Sequence, residues 1–577
     1  MHKKEKDRRG GQHEMTTEKE ITWQESARAK QQAILSAIPK KWRITGPIPS
    51  AVDLRDCTGS YIQQYLSPRE IEITEADALL ITQYTTVGSW SAVEVTEAFC
   101  HRAAIAHQLV NCLHEIFFDG AVAAASALDA YFAEHRKPVG PLHGLPVSLK
   151  DQFHIKGVET TMGYVGWIGT FEGNKGDTRA RTFESELVRE LRNLGAVLFC
   201  KTSVPTTLMS GETVNNIIGY TWNPKNRHLS CGGSSGGEAA LLALRGSPAG
   251  FGTDIGGSIR VPAAFNGIFG LRPSTGRLPY EGAANSMDGQ STILSVVGPM
   301  ATTARSLKLL VKAILEQSPW NYDPLAHELP WRSSVEREIQ ERIVGDPSAL
   351  SFGIMYHDGV VQPQPPVQRA IRLMEEMLRS QGHQIIDWRP PPHKIAHVIA
   401  KETFQMDGGA DVHAHLALSG EPQLPQCFVT KTTHLKAAEI ADLNVRKRQY
   451  QKSYLDYWHS TFSLTRSGRP VDAVVCPTAP HAAVIPGRYR HVGYTSFVNV
   501  LDLTSAVIPI IHASKDLDQL DHADLSQHAE YDASLYDGAP VGIQLIGRRL
   551  EEEKILTLAE YVHDSWAELS SSASDTS

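Results

Sequence analysis

The sequence predicts an α/β fold in which helices pack on both faces of a central mixed sheet. Three features carry that expectation. Strand and helix patterns alternate along the chain, the arrangement that layers helices on a sheet. Several helical stretches carry start and stop residues at their ends. No shift in composition cuts the chain into separate catalytic units.

The elements follow in order. "SAVEVTEAFCHRAAIAHQLV" opens at Ser91 with Glu94 three residues on, a capping box ahead of an amphipathic helix. Leu145 to Leu149 is a short apolar strand whose end holds Lys150. "TFESELVRELRNLGAVLFCKT" reads as a helix stopped at Gly195, then a buried strand over 196–200. "LSFGIMY", "PPVQRAIRLMEEMLRSQG" and "QIIDW" form a strand–helix–strand unit, with Val367, Ile371, Met374 and Leu378 on one helical face. "DAVVCPTAP" and "PVGIQLIG" are further strands, and a helix follows from about Glu551. The segment 514–538 carries seven acidic residues and is expected to be an exposed insertion.

At 577 residues, 41% apolar and 21% charged with a formal net charge of −8, the chain has the composition of a large globular protein. No basic excess suggests a nucleic-acid partner. Seven cysteines, an odd number without a C-x-x-C pair, fit reduced thiols better than a disulfide framework or a zinc site. The basic N-terminus has no apolar run behind it, unlike a secretory signal, and no stretch has the roughly 18 apolar residues of a membrane span. The expectation is a soluble cytoplasmic protein, with residues 1–20 disordered, 21–569 a single domain and 570–577 a frayed tail. Met15 is a second candidate start.

Residues 232–260, "GGSSGGEAALLALRGSPAGFGTDIGGSIR", hold nine glycines and four serines. Each glycine costs roughly 0.5–1 kcal/mol inside regular structure, so bare backbone is needed here for another reason. "GGSSGG" reads as a turn entering a short helix that Gly246 and Pro248 end. "AGFGTDI" then returns as an extended segment to a second turn, "GGSIR". An eight-residue helix rises about 12 Å and six extended residues span about 20 Å, so the return can bring Ser234 and Ser258 together. Successive amides at Ile255, Gly256, Gly257 and Ser258 offer the donors an oxyanion hole requires. A glycine turn for strand packing or a phosphate cradle gives the same pattern, and spacing leaves these readings open.

A nucleophilic serine needs a base, and Lys150 is a candidate. At its ordinary pKa of about 10.4 lysine is a poor base at neutral pH, and burial lowers that value. A lysine after a strand is more commonly a solvated charge.

With these pieces in place the sequence resembles the amidase signature family. "GPLHGLPVSLKD", "KTSVPTTLMS", "GGSSGGEAALLA", "GTDIGGSIRVPAAFNGIFGLRPSTGRLP" and "PVGIQLIG" follow the family's order and spacing, from about residue 75 to 565. "DGVVQPQPPVQRAI" and "PWNYDP" are similar to its fungal acetamidase-like branch, near the fatty-acid amide hydrolases. The resemblance implies the amidase signature fold and an amidase that hydrolyses a carboxylic amide through an acyl-enzyme, without cofactor or metal. It implies Lys150 as base, Ser234 as a bridging serine after a cis peptide bond, and Ser258 as nucleophile. It further implies that the amides of Ile255, Gly256, Gly257 and Ser258 form the oxyanion hole. Leu208, Ser210 and Ser234 are the other substrate contacts. The implied partner is a small-molecule amide, and family members are often homodimers. Asp254 and Arg260 are expected as a structural ion pair bracing the nucleophile loop. Cys231 is expected as a packing residue and as a site where an alkylating reagent inhibits.

Acyl transfer or ester cleavage at the same site, or an inactive homologue acting as a binding protein, are the alternatives; three intact triad positions argue against the last. Gly232, Ser234 and Gly236 satisfy G-x-S-x-G, but a nucleophile elbow needs a preceding strand and "TWNPKNRHLSC" reads as a loop. His413 and His415 could share one face of a strand, yet neither an HExxH motif nor a third ligand accompanies them.

Overall fold

The computed structural model describes residues 22–345, 350–520 and 531–574. Its strands are β1 (Leu113–Ile116), β2 (Pro146–Lys150), β3 (Val197–Thr202), β4 (Val214–Asn215), β5 (Gly219–Tyr220), β6 (Ala249–Asp254) and β7 (Phe269–Arg272). After them come β8 (Val296–Ala301), β9 (Ser351–Ile354), β10 (Gln384–Asp387), β11 (Ala473–Pro477), β12 (Ser505–His512) and β13 (Pro540–Ile546). The pair β4–β5 stands apart. The other eleven form one sheet in the order β1-β3-β2-β6-β8-β7-β12-β13-β11-β9-β10. Parallel pairs lie toward both ends, β3–β2–β6 and β11–β9–β10, and antiparallel pairs join them through the middle. The sheet is mixed and flanked by helices, as the alternating pattern predicts.

Every residue of β2, β6, β8 and β13 is buried, as expected for strands covered on both faces. In the strand–helix–strand unit, β9 and β10 pair in parallel with Gln384 opposite Ser351. The helix Pro365–Ser380 connects them and buries Val367, Ile371, Met374 and Leu378, none more than 2% exposed. The helix Glu186–Asn193 ends before Gly195, whose φ of 85° is left-handed, and β3 follows.

Three local expectations change on contact with the rest of the molecule. Ser91 accepts a hydrogen bond from the Glu94 amide at 3.0 Å, but the Glu94 carboxylate does not return it; Arg69 holds that carboxylate at 2.9 and 3.1 Å. The neighbouring amides of Ala92 and Val93 donate instead to Asp129, so a charged tertiary partner replaces half of the local box. In the acidic segment 514–538, Asp518 is buried and paired with Arg369 at 2.7 Å. That portion folds against the body, and 521–530 lie outside the described residues. The final helix, Glu552–Ser574, continues into the stretch expected to fray. Residues 575–577 and the N-terminal segment expected to be disordered lie outside the described residues. No helix among the described residues is long and apolar enough to cross a membrane.

The sheet positions the glycine-serine region. β2 and β6 run parallel with Leu149 beside Phe251, so their C-terminal ends open on the same side. In open α/β sheets ligands bind beyond those ends. Lys150 is the last residue of β2, and β6 leads through Asp254 into the turn that bears Ser258. The helical face of Pro365–Ser380 gives a direct test of the packing: Met374→Ala should lower unfolding stability by about 2–5 kcal/mol in urea titration.

Candidate active site

Lys150 has no solvent exposure. Its Nζ lies 2.7 Å from Ser234 Oγ and 2.7 Å from Thr253 Oγ1. Burial pushes its pKa down to about 7, against the opposing pull of the negative charges at Asp254 and Glu238. Each carboxylate has closer commitments. Asp254 is held by Arg260, and Glu238 accepts hydrogen bonds from the hydroxyls of Ser148 and Thr202. Burial raises the Glu238 pKa to about 7 despite those bonds, which weakens its claim on the lysine proton.

Thr253 fixes the direction of the lysine. Its hydroxyl donates to Gln152 Oε1 at 2.6 Å, and Gln152 Nε2 donates onward to the Tyr280 hydroxyl at 2.7 Å. A hydroxyl has one proton, so with that proton given to Gln152, Thr253 can only accept from Lys150. A neutral Lys150 that donates to Thr253 can turn its lone pair toward Ser234.

Ser234 follows a cis peptide bond after Gly233 and is buried. No strand precedes it: residues 221–231 are a loop closed by a single bridge between Trp222 and Ser230, so the G-x-S-x-G elbow is absent. The helix Gly236–Ala243 leaves this turn, and β6 returns to the second one. The two turns are tied by the Ser235 amide, which donates to the Ser258 carbonyl at 3.0 Å. Glycine is required at Gly233 because a Cβ there would lie 2.7 Å from the Ser210 carbonyl oxygen. Gly257 has a φ of 133°, and a Cβ on it would strike the Thr495 side chain.

Asp254 and Arg260 form the expected ion pair, both fully buried. Burial alone would raise the Asp254 pKa; the Arg260 charge, with hydrogen bonds from Arg260 and Asn499, brings it down to about 2. The same carboxylate accepts from the amides of Gly257 at 2.8 Å and Ile259 at 3.1 Å. This corrects one expectation about the turn. The Gly257 amide is spent on Asp254, which leaves the amides of Ile255, Gly256 and Ser258 without a protein acceptor among the described residues.

Leu208, Ser210, Ile255, Gly256, Gly257 and Ser258 all line one cavity of about 30 Å³. Ser258 is half-buried there; Ser234 does not line the cavity, although Gly233 before it does, and among the described residues no hydrogen bond joins the two serine hydroxyls. Thr207 and Leu208 are both left-handed, with φ of 77° and 63°, a conformation that is uncommon for threonine and leucine and that clusters at functional sites. The Ser210 hydroxyl is occupied by its own turn, donating to the Glu212 carbonyl at 2.9 Å. The same hydroxyl accepts from the Glu212 amide at 3.1 Å, so it has no proton left to offer the cavity.

The far wall was not read from the sequence. Phe404, Phe428, Tyr489 and Val492 close the cavity from distant segments, and only long-range contacts bring them there. Tyr489 is placed by Glu212, whose carboxylate accepts from the Tyr489 amide at 3.0 Å, the Gly487 amide at 2.8 Å and the Tyr220 hydroxyl at 2.7 Å. Its ring occupies the space a side chain at Gly211 would need. Thr253 and Gln152 were also missed, although Gln152 lies only two residues from Lys150.

Two other candidates resolve into structure. Cys231 is fully buried, its thiol donates to the Thr221 carbonyl at 3.2 Å, and burial pushes its pKa up; it is a packing residue, shielded from alkylation. His413 and His415 lie on the helix Ala410–Ala417, not a strand, where two residues apart means nearly opposite faces. A larger cavity of about 850 Å³, lined in part by Lys447 and Arg549, shares no lining residue with the one at Ser258.

The chain is similar to known proteins over most of its length. It is 46% identical over 553 residues to an acetamidase of Aspergillus oryzae, covering 94% of this chain and 98% of that one. An acetamidase of Emericella nidulans is 44% identical over the same length and coverage. Among solved structures, a fatty acid amide hydrolase superposes with a TM-score of 0.85 at 34% identity, covering 94% of each chain. The class these likenesses define is an enzyme that hydrolyses amides. The Amidase family matches residues 94–556, and the chain belongs to that family, the amidase signature enzymes expected from its motifs.

The brace on the nucleophile turn has a measurable consequence. Asp254→Ala strands Arg260 as an uncompensated buried charge, and urea unfolding should show a loss of about 3–5 kcal/mol.

Proposed function

We propose that this amidase acts on short aliphatic amides through Ser258 as nucleophile, Ser234 as proton bridge and Lys150 as base. The observation that carries the reading is the buried Lys150 amine, 2.7 Å from Ser234 with its pKa near 7. In the proposed course, neutral Lys150 takes the Ser234 proton as Ser234 takes that of Ser258. The Ser258 oxygen bonds to the amide carbon, and the carbonyl oxygen becomes an oxyanion. The free amides of Ile255, Gly256 and Ser258 stabilise that charge; one such donor contributes about 10²–10³ in rate. As the carbon–nitrogen bond breaks, Ser234 passes a proton to the leaving nitrogen and recovers one from Lys150. Water then attacks the acyl-serine by the same proton route and releases the carboxylate.

Cavity size supports the short substrate. The cavity of about 30 Å³ beside Ser258 is far below the roughly 300–1,000 Å³ of sites that hold drug-sized ligands. A compact acyl group such as acetyl suits it, in keeping with the relatives called acetamidases.

Ser258→Ala should lower kcat for acetamide by about 10⁴-fold or more with the fold retained; near-normal turnover would remove Ser258 from the mechanism. The base must be unprotonated, so kcat/KM for acetamide should climb with pH through about 7 and level off above it. Lys150→Ala should lose most of the activity along with that limb, and an unchanged pH–rate profile would contradict the role of the amine. Tyr489→Ala should open the cavity wall and raise the preference for butyramide over acetamide by about ten-fold or more. An unaltered preference would show that another group sets acyl length.

A further inference from the structure

The cavity of about 850 Å³ away from Ser258 has the size of a small-molecule site, within the range of roughly 300–1,000 Å³. Its charges do not balance. Four cations line it, Lys447, Arg332, Arg548 and Arg549, against two carboxylates, Asp502 and Glu551. Each of those carboxylates already serves two cations. Asp502 pairs with Arg272 at 2.8 Å and Arg549 at 2.6 Å. Glu551 pairs with Arg548 at 2.7 Å and Lys554 at 3.4 Å, and Arg332 is taken by Glu553 at 2.6 Å. Lys447 is left over. Among the described residues it forms no ion pair, and its amine donates only to the Thr292 carbonyl.

These groups are close to one another and open to a guest. Burial lowers the Lys447 pKa, the charge of Asp502 pulls it back up, and the charges of Arg272 and Arg549 press it down again. The side chains of Arg332, Arg548 and Arg549 are 33%, 44% and 49% exposed, so a ligand in the hollow can touch them. Lys447, Gln451 and Leu455 recur every four residues along the helix Ala437–Ser460 and form one wall. Arg548 and Arg549 follow β13 and form another. Surplus positive charge in a hollow with low-dielectric walls concentrates the field and draws in anions. Cations on two walls suit a guest with more than one negative group, and arginine binds carboxylate and phosphate oxygens alike.

We propose that this cavity is a second binding site, one that takes a small multivalent anion with two or more carboxylate or phosphate groups in contact with Lys447 and Arg549. It shares no lining residue with the cavity at Ser258 and stands whether or not the hydrolytic mechanism does.

Citrate and pyrophosphate are the probes, titrated by calorimetry into the full-length chain at fixed ionic strength so that the screening of exposed charges stays constant. At least one should bind at millimolar concentration or below, and the stronger of the two tells carboxylate from phosphate. Lys447→Met and Arg549→Gln should each weaken that binding about ten-fold. Lys452→Met removes the same charge from the same helix outside the cavity, where Lys452 pairs with Asp456, and should leave the affinity unchanged. No binding of either probe at millimolar concentration, an affinity that neither cavity substitution alters, or an equal loss with Lys452→Met overturns the site. If Lys447→Met does not fold, Arg549→Gln set against Lys452→Met still decides the matter.

Discussion

The removal of one amine from water organises this site. A lysine at the end of a solvated strand would stay protonated far above neutral pH, and Lys150 is held near 7 only because β2 buries it completely. That burial would fail in its purpose if a carboxylate were free to pair with it. Asp254 is instead committed to Arg260, and Glu238 to two hydroxyls. The nearest partners left to Lys150 are hydroxyls, and the Gln152 contact makes Thr253 an acceptor. What remains for Ser234 is the lone pair.

The surrounding structure follows from keeping the Ser234 turn and β6 in contact with that amine. Parallel pairing of β2 and β6 sets Lys150 next to the strand that leads to Ser258. The short helix Gly236–Ala243 carries the chain from the first turn back toward β6. Asp254 and Arg260 then stiffen the second turn by gathering the amides of Gly257 and Ile259, with Asn499 and Gln544 completing the arginine's bonds. A buried ion pair of this kind adds little net stability against an apolar alternative, and its value here lies in the geometry it imposes. The residues whose amides it leaves unused, Ile255, Gly256 and Ser258, line the cavity.

The scaffold is shared with a fatty acid amide hydrolase. The backbone superposes over 94% of each chain, and in this chain Phe404, Phe428 and Tyr489 line the cavity beside Ser258. Those aromatic rings sit on connections outside the sheet. Connections tolerate change more readily than the strands they join, so pocket depth can shift while the strand ends stay fixed.

Much of this protein was legible in its residues. The glycines around Ser234 and Ser258, the lysine ending an apolar strand, and the periodicity of the helix bearing Met374 each express a local need of the backbone or of one face, and local needs are written locally. The capping box at Ser91 failed for the opposite reason: Arg69, from a different helix, offered Glu94 a charged partner that the local amide could not match. The same limit hid the aromatic wall and the burial of Asp518. Each depends on which distant groups arrive within about 3 Å, the reach of a hydrogen bond, and only the folded chain decides that.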